Sequence, residues 1–302
     1  MIVTSDFLDL PRGERVFAIG NFDGVHLGHQ ALFRRAAALA SDRGGVAIAL
    51  AFHPHPLQVL GYSVETITDD DQKVSLIADH GVSAYFAMPF GAELAVMPPE
   101  RFVREVLIEQ AEASAVVVGF NFSFGKGGAG TPEFLAQALA AYGVPVEIVA
   151  PVVIGGEAVS STRIRQCIRH GDLDRVETML GRPYSLSGVV LPGDQRGRTI
   201  GYPTANLYNL QGLALPPFGV YAAEVLGIGP GMANLGIRPS FPQAGPSLEV
   251  NILDWHGDLY GNRIDVVLRR FLRGERRFNS LAALQQQLAS DRLEVKRLLG
   301  RH

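Results

Sequence analysis

The pattern of hydrophobic residues differs between the two halves of the chain. Up to about residue 180, short continuous apolar runs alternate with stretches of helical periodicity. Runs of this kind are typical of parallel strands that helices cover on both faces, so we predict an α/β, Rossmann-like domain. The predicted strands are residues 15–20, 45–52, 83–88, 115–119 and 144–149, and the predicted helices are residues 28–41, 72–80, 99–112, 132–142 and 164–180.

After residue 182, short apolar strands separated by turn signals predict a small antiparallel β-barrel. A C-terminal helix follows, capped by Asn279 and Ser280, with Leu281, Leu284 and Leu288 as its expected apolar stripe. We place the domain boundary between residues 182 and 183, which gives domains 1–182 and 183–302. The predicted strands are residues 186–191, 220–226, 232–235, 248–253 and 264–272, with turns at 192–193, 229–231 and 256–258.

Composition argues against several classes of protein. The 302 residues suffice for two domains, and 47% of them are hydrophobic, as in ordinary globular chains. The 27 Lys and Arg residues nearly balance 30 Asp and Glu residues, so the net charge is −3. A general nucleic-acid or membrane-surface binder needs a basic excess, and we therefore expect neither partner. The basic run within residues 269–277 is expected to be a solvated face.

The single cysteine and the first residues bear on cellular location. Cys167 cannot form an intramolecular disulfide, and we expect it to be a buried small hydrophobic residue. Residues 1–11 carry Asp6 and Asp9 but no basic segment, so they do not resemble a secretory signal. No apolar run reaches the ~18 residues of a membrane span. These features predict a cytoplasmic protein, for which a homo-oligomer is allowed.

The most informative segment is residues 20–29, GNFDGVHLGH, which leaves a predicted strand and enters a predicted helix. His26 and His29 therefore lie at the first helical turn, where exposed N–H groups and the helix dipole favour an anion. Gly28 allows a phosphate to approach the backbone closely. Both imidazoles can then donate hydrogen bonds to phosphoryl oxygens as charge grows there. The alternative is a solvated turn, or a partial zinc site that includes His53 and His55.

Further motifs follow this segment in order. The second half carries GRTIGYPTAN at residues 197–206, and LEV at 248–250 is followed by DLYG at 258–261. The first half adds FHPHP at 52–56, GFNFSFG at 119–125 and SSTRIR at 160–165. With the H-x-G-H motif at 26–29, these segments make the chain resemble, nearly end to end, the prokaryotic bifunctional riboflavin kinases/FMN adenylyltransferases, or FAD synthetases.

For the first half, the resemblance implies a nucleotidyltransferase domain that moves an adenylyl group from ATP to the phosphate of FMN and releases pyrophosphate. His26 and His29 would bind the ATP phosphates, and Asn121 would contact the region of the transferred phosphate. Mg²⁺ would bridge the phosphates. The remaining implied ATP- or phosphate-binding residues are Gly20, Asn21, Phe22, Asp23 and Gly28, together with a second phosphate clamp of Ser161, Thr162 and Arg165. Without the resemblance, Ser161 and Thr162 are equally well explained as an ordinary helix N-cap pair.

For the second half, the resemblance implies a flavokinase domain that phosphorylates riboflavin with ATP. Thr204 and Asn206 offer the hard oxygen ligands that Mg²⁺ prefers, after a loop that contains Gly197 and Gly201. Glu249 faces the side of its strand opposite to its apolar neighbours, where a carboxylate can take the proton of the ribityl hydroxyl. The alternative for an isolated glutamate is a surface position on a strand. The small-molecule partners would be ATP, riboflavin and FMN.

This chain departs from the resembled pattern at four places in its second half. Pro217 and Phe218 precede the Gly-Val-Tyr run where an Asp is usual, Ser240 replaces a Thr, and Asn251 stands where His or Tyr is common. Residues 207–215 are unusually apolar. The alternatives are therefore a single-function FMN adenylyltransferase with an impaired kinase half, or a non-catalytic flavin- or nucleotide-binding protein.

A second glycine-rich segment invites a different interpretation. Residues 125–130 fit G-x-G-x-x-G, the fingerprint of dinucleotide-binding oxidoreductases. Residues 120–124 separate these glycines from the preceding strand, whereas the fingerprint follows its strand directly. We therefore favour a lid over the nucleotide. A Walker-type P-loop, G-x-x-x-x-G-K-[ST], is absent from the sequence.

Overall fold

A computed structural model describes residues 1–193, 197, 200–208, 210–237 and 245–300. Its contacts divide the chain into two compact units. The first comprises Met1–Glu65 and Asp69–Ser161, and the second comprises Thr66–Thr68 and Thr162–His302. The boundary at 182/183 was drawn along the sequence and stays a prediction, while the contacts assign residues 162–182 to the second unit.

The first unit is built on a six-stranded sheet in the order β1-β4-β3-β2-β5-β6, with every neighbouring pair parallel. A two-stranded hairpin, β7 and β8, follows the sheet. The predicted parallel sheet is confirmed, and β1 is an edge strand that the sequence pattern did not reveal. The strands are β1 Ile2–Thr4, β2 Arg15–Ile19, β3 Val46–His53, β4 Ala84–Pro89, β5 Ala113–Gly119, β6 Val146–Val149, β7 Val153–Ile154 and β8 Glu157–Ala158.

Helices cover both faces of this sheet, as predicted. One face packs against the first helix, and the other packs against a π-helix and the helix that precedes β6. The π-helix occupies most of the helix predicted at 99–112. The helices are α1 Leu27–Asp42, α2 Pro56–Val59, α3 Asp70–Ala78, α4 Ala92–Ala95, α5 Pro99–Arg101, the π-helix Phe102–Gln110 and α6 Pro132–Ala140, with short 3₁₀ turns at Phe7–Asp9, Asp23–Val25 and Lys126–Gly128.

The strand order places a crevice at the centre of the sheet. From β2 the chain moves to β3 on one side, and later returns to β5 on the other side. The carboxyl ends of β2 and β5 therefore lie next to each other at a topological switch point, with Ile19 paired to Val118. Ligands of open parallel sheets bind at such points, because the two connections leave in opposite directions and open a cleft.

The second unit contains a closed antiparallel barrel in the order β10-β13-β12-β11-β14-β9, as the turn-rich pattern predicted. Thr66 pairs with Leu213 in this unit, and Leu207, Leu210 and Ala214 are buried, so the apolar run at 207–215 contributes three residues to the core. The elements are α7 Ser161–His170, whose first residue falls in the first unit, α8 Leu173–Leu180, β9 Ser185–Leu191, β10 Ala205–Leu207, β11 Gly219–Val225, β12 Gly229–Ile237, β13 Pro246–Ile252, β14 Arg263–Arg273 and α9 Leu281–Leu299.

Three local predictions for residues of the second unit are wrong. The single helix predicted at 164–180 is broken into α7 and α8 at Gly171, whose φ of 74° ends the first segment. The glycine-proline turn at 229–231 is instead the start of β12. Cys167 is half-buried rather than buried. In the part of the chain that the structure describes, no helix is long and apolar enough to cross a membrane.

The C-terminal helix α9 is held by a buried ion pair that the predicted leucine stripe does not include. Ser280 caps it as expected, and of the stripe Leu284 and Leu288 are half-buried whereas Leu281 is 57% exposed. The residues that α9 buries are Asp291 and Val295. Arg273 of β14 donates to both carboxylate oxygens of Asp291, the shortest of these contacts being 2.7 Å, with both side chains nearly buried.

We predict that Asp291→Ala destabilises the barrel by about 3 kcal/mol, because it leaves the Arg273 charge buried without its carboxylate. The matched control is Glu294→Ala on the same helix, which removes an exposed pair with Arg297 and costs less than about 1 kcal/mol. Urea unfolding followed by fluorescence of Trp255, the only tryptophan in the sequence, measures both. Equal losses in the two variants would contradict this assignment.

Candidate functional site

The loop between β2 and α1 has an unusual backbone. Phe22 and Val25 both have positive φ, 55° and 43°, and Gly24 between them has φ 78°. A left-handed conformation is uncommon for any side-chain-bearing residue, and for a β-branched residue such as Val25 it is an outlier. Each such residue costs about 1–3 kcal/mol, and such strain clusters at functional sites.

Burial of the same residues holds this backbone in place. Phe22 and Val25 are fully buried in the cluster between the sheet and α1, where the Phe22 ring lies 4.6 Å from the Phe33 ring. Full burial of each side chain contributes about 1.5–3 kcal/mol, which offsets a strain of the same size. Gln30 adds a hydrogen bond of 3.0 Å from its Nε2 to the Val25 carbonyl.

The strained loop ends at His26, which caps helix α1. The His29 backbone N–H donates to His26 Nδ1 at 3.3 Å. Because Nδ1 accepts, the proton of a neutral His26 lies on Nε2. The two imidazole rings are stacked with centroids 3.6 Å apart. The predicted position of both histidines at the first turn of the helix is thus found in the structure.

Burial makes His29 a neutral imidazole. Its pKa is lowered well below the ordinary value of 6.5, first by burial and then by the neighbouring His26. His29 Nδ1 is buried and has no hydrogen-bond partner among the described residues. A buried polar atom without a partner is costly, and a ligand that pairs with it recovers that cost. An anion beside the His29 ring would raise this pKa.

Gly28 leaves room for the His26 ring. A Cβ at this position would lie 3.0 Å from Cε1 and 3.1 Å from Nδ1 of His26. Any side chain would therefore press on the ring that caps the helix. This steric reason adds to the predicted one, the close approach of a phosphate to the backbone. Gly20 is similarly restricted, because its Cβ would meet the Phe22 ring at 2.9 Å.

Two asparagines leave the neighbouring strands at the crevice. Asn21 lies two residues beyond the end of β2, and Asn121 lies two residues beyond the end of β5. Asn21 Oδ1 is buried without a hydrogen-bond partner among the described residues, whereas Asn121 is exposed. Ser161 donates through Oγ to the carbonyl of the buried Asp23 at 2.9 Å. The first unit therefore brings together the predicted residues of segment 20–29 and Ser161, with Asn121 at the adjacent strand end.

The other two residues of the predicted phosphate clamp belong to the second unit. Thr162 and Arg165 lie on the first turns of α7, and the Arg165 guanidinium donates to Thr162 Oγ1 at 3.3 Å. A guanidinium and a hydroxyl held together are suitable donors for phosphate oxygens. Their role as a clamp stays a prediction.

In the barrel, strand pairing brings Asn206 and Glu249 together. The two residues are directly opposite each other on β10 and β13, and Asn234 of β12 is the partner of Glu249 on its other side. Leu248 and Val250 are fully buried in the barrel, so Glu249 faces the outer side, as alternation predicted. Opposed residues have Cβ atoms about 5 Å apart, so the three polar side chains form one cluster. Sequence reasoning missed Asn234, because strand pairing is not visible in the sequence.

Thr204 and Asn206 offer oxygen donors next to this carboxylate. The Asn206 side chain is buried, and its Nδ2 donates to the Thr204 carbonyl at 3.2 Å, so its amide oxygen is the acceptor end of the side chain. An amide oxygen, a hydroxyl and a carboxylate are hard ligands of the kind that Mg²⁺ takes alongside substrate phosphates. The residues present therefore fit a magnesium site.

The loop before Thr204 is tightly turned. Gly201 has φ 86°, and the backbone N–H of Tyr202 donates to the Gly197 carbonyl at 2.8 Å. A Cβ at Gly197 would collide with the Tyr202 carbonyl at 2.2 Å, so this position requires glycine. Arg198 and Thr199 of the same motif and Ser240 lie outside the described residues.

The structure also bears on the two alternative interpretations, the dinucleotide fingerprint and the zinc site. Residues 125–130 form a 3₁₀ turn closed by pairing of Phe124 with Gly130, so the dinucleotide fingerprint, which needs a strand leading directly into a helix, is excluded. His55 caps α2, and His53 lies 3.6 Å from Asp70. Within the described ranges, no three His, Cys, Asp or Glu side chains are grouped so that they could hold a metal ion.

We predict that His29 titrates well below pH 6.5 in the folded protein and that His26→Asn moves its pKa back toward, but not to, the ordinary value. The variant removes the charge effect of His26 while burial persists. Because the folded pKa is depressed, the contribution of neutral His29 to stability is present above pH 6.5 and is lost as the pH falls through the folded value. NMR titration of the imidazole protons measures this; a His29 pKa near 6.5 in the wild-type protein would contradict it.

Comparison with known proteins agrees with this geometry. Residues 11–163 match the family model of FAD synthetase, and residues 180–299 match that of riboflavin kinase. The bifunctional riboflavin kinase/FMN adenylyltransferase of Escherichia coli strain K12 is 37% identical over 296 residues, covering 96% of this chain and 94% of the relative. The protein of the same name from Bacillus subtilis strain 168 is 35% identical, covering 95% and 93%.

A solved structure is similar over the same length. The structure titled as a macrolide-efflux protein from Streptococcus pneumoniae has a TM-score of 0.83 and 31% identity, and the match covers 98% of each chain. Two family models therefore divide the chain between them, in the order in which the parallel sheet and the barrel occur. The chain belongs to the family of bifunctional riboflavin kinases/FMN adenylyltransferases.

Proposed function

We propose that this chain makes FAD from riboflavin in two ATP-dependent steps. The barrel unit phosphorylates riboflavin to FMN, and the parallel-sheet unit adenylylates FMN to FAD and releases pyrophosphate. The observation that carries the proposal is the presence of both sites in one chain. The first is the strained helix N-terminus with His26 and His29, and the second is the Asn206–Glu249 pair on the barrel.

In the adenylylation step, the FMN phosphate attacks the α-phosphorus of ATP, and pyrophosphate leaves. The substrate brings its own nucleophile, so the protein has to position two anions and stabilise the charge that develops. The N-terminus of α1 supplies backbone N–H groups and a favourable dipole, and His26 supplies a donor at Nε2. His29 is neutral before binding and can gain a proton when phosphate oxygens approach.

The residues around this helix terminus complete the proposed site. Asn21 and Asp23 lie beside the phosphates, and Asn121 reaches the transferred group from the adjacent strand end. Ser161 ties the Asp23 carbonyl to the start of α7, which fixes the loop that holds both histidines. Thr162 and Arg165 are proposed to bind a second phosphate.

In the kinase step, Glu249 takes the proton from the 5′-hydroxyl of riboflavin as that oxygen attacks the γ-phosphorus of ATP. Asn206 and Thr204 would hold Mg²⁺, which when bound neutralises charge on the phosphates. The Asn206 amide is oriented by the Thr204 carbonyl, and its buried position fixes the distance to Glu249 across the strands. The closed barrel prevents these strands from slipping in register.

Three of the sequence departures have structural explanations that are compatible with kinase activity. Asn251 donates through Nδ2 to the Pro203 carbonyl at 2.7 Å, so it holds the backbone beside Thr204. The apolar run at 207–215 supplies buried core residues, as described above. Pro217 accepts a hydrogen bond from the buried Tyr221 hydroxyl. These observations favour the bifunctional enzyme over a chain with an impaired kinase half.

The partners that follow from this proposal are small molecules, namely ATP, riboflavin and FMN, with Mg²⁺ as the cofactor. A cytoplasmic location follows from the supply of these substrates. The decisive experiment incubates the purified protein with ATP, Mg²⁺ and riboflavin, with FMN replacing riboflavin in a parallel reaction, and separates the flavins by chromatography. FAD in both reactions supports the proposal. FAD from FMN alone would mean a single-function adenylyltransferase, and no conversion would contradict the proposal.

We predict that the two activities separate by mutation. Glu249→Gln lowers riboflavin phosphorylation by about 10²–10⁴-fold, because the general base is lost, and leaves FAD formation from FMN unchanged. His29→Asn has the opposite pattern, since it removes a donor only from the adenylylation site. Each variant is the control for the other, measured by the same chromatography. Loss of both activities in either variant would contradict the assignment of separate sites.

We also predict that Gly28→Ala lowers FAD formation at least tenfold with no change in riboflavin phosphorylation. The added methyl group would press on the His26 ring and displace the cap of α1. Gly91→Ala is the matched control, because a Cβ at Gly91 would meet nothing within 4 Å and Gly91, like Gly28, has no positive φ. Equal effects of the two substitutions on FAD formation would show that loss of glycine backbone freedom, rather than contact with His26, is responsible.

A further inference from the structure

The barrel contains a cavity that shares only Thr204 with the proposed site residues. Its volume is about 280 Å³, and it lies beside Thr204. Apolar side chains form much of its wall, including Val190, Val250 and Ile252. Residues 203–205 line another part, and the loop from Trp255 to Tyr260 contributes all six of its residues to the rest of the wall. The position of this loop therefore decides the shape of the cavity.

The far end of the loop is fixed by backbone hydrogen bonds to β9. The Gly261 N–H donates to the Val190 carbonyl at 3.0 Å, and the Val190 N–H donates to the Asn262 carbonyl at 2.9 Å. These bonds are independent of side chains. The middle of the loop, His256 to Asp258, is exposed. The end of the loop that begins at Trp255 has to be fixed by side-chain contacts if the loop is to keep one conformation.

At the near end, Asp254 is held by two cations of α9. Its carboxylate accepts a hydrogen bond from the Arg292 guanidinium and forms an ion pair with Lys296 Nζ at 2.7 Å. Arg292 and Lys296 are four residues apart, so they lie on one face of the helix. Asp254 has φ 53°, a left-handed conformation that sharply redirects the chain into the loop.

The helix that carries these cations is itself anchored on the barrel. Val295 is fully buried in a cluster with Leu253, the residue immediately before Asp254. Asp291 forms the buried ion pair with Arg273 described above. The two cations that bind Asp254 therefore lie on a helix that is itself fixed to the barrel. A single exposed ion pair on an unanchored helix would restrain the Asp254 backbone less.

We propose that Asp254 is a positioning residue for riboflavin phosphorylation: clamped by Arg292 and Lys296, it holds the loop from Trp255 to Tyr260 as the wall of a cavity that receives the planar ring of a kinase substrate. The proposal rests on the proposed kinase function. Both substrates of that reaction carry a flat heteroaromatic ring, and the apolar walls and the Trp255 indole suit such a ring. Thr204 at the same cavity connects the ring site to the proposed phosphate and magnesium site.

The test replaces Asp254 with Asn, which keeps a residue that tolerates left-handed backbone and removes only the charge. The Arg292→Gln/Lys296→Gln double variant removes the same interaction from the other side. Glu294→Gln is the matched control, because Glu294 lies between these cations in the sequence of α9 but pairs with Arg297. The measurements are kcat and KM of riboflavin phosphorylation for ATP and for riboflavin, the emission maximum of Trp255, and Tm.

The expected result is an increase of about two- to fivefold in KM for one substrate, with kcat and Tm unchanged, in both the Asp254 variant and the double variant. The substrate whose KM rises identifies the ring that occupies the cavity. The emission of Trp255 should move to longer wavelength in both variants, because a released loop exposes the indole. The Glu294→Gln control should match the wild type in every measurement.

The proposal is overturned if KM for both substrates and the Trp255 emission stay at wild-type values in the Asp254 variant. A fall in Tm with a parallel loss of kcat would also overturn it, because that result describes a general role in stability. If the wild-type protein makes no FMN, the kinase proposal fails. The Trp255 emission of the variants still decides whether Asp254 holds the loop.

Discussion

The left-handed backbone at Phe22, Gly24 and Val25 is the constraint on which the first site depends. It turns the chain from the end of β2 into α1 so sharply that the first helical turn begins at the switch point of the sheet. The strain persists because Phe22 and Val25 are buried between the sheet and α1. A relaxed turn would remove these side chains from the core, so the position of the histidines is coupled to the packing of the whole domain.

The second site depends on strand register instead. Glu249 gains its neighbours because β13 lies between β10 and β12, which places an asparagine on each side of it. A shift of one residue in either pairing would turn Glu249 toward the apolar interior. Closure of the barrel prevents such a shift, since every strand is paired on both sides. The two units therefore hold their polar site residues in different ways. The first unit uses a strained turn, and the second uses the fixed strand register of a closed barrel.

The sequence predicted what is encoded locally. The periodicity gave the parallel sheet and barrel, the alternation around Glu249 gave its outward direction, and the His26–Gly28–His29 spacing gave a helix N-terminus. Features that depend on partners distant in sequence were not predictable. Asn234 joins Glu249 only through strand pairing. Helix α9 buries Asp291, which a hydrophobic pattern assigns to solvent because the pattern does not show its partner Arg273, eighteen positions away. The helix break at Gly171 was missed because the apolar period continues through it.

The ion pairs of the C-terminal helix show that burial determines how much an ion pair stabilises the fold. Asp291 and Glu294 are both acidic and three residues apart on α9. One is buried against Arg273 and fixes the helix to the barrel, whereas the other pairs with Arg297 in solvent. Arg292 and Lys296 lie between these extremes: they are partly exposed, yet both reach the same carboxylate at a point where the backbone reverses. A weak interaction can set the geometry of a loop there, because the other end of that loop is already fixed by backbone hydrogen bonds.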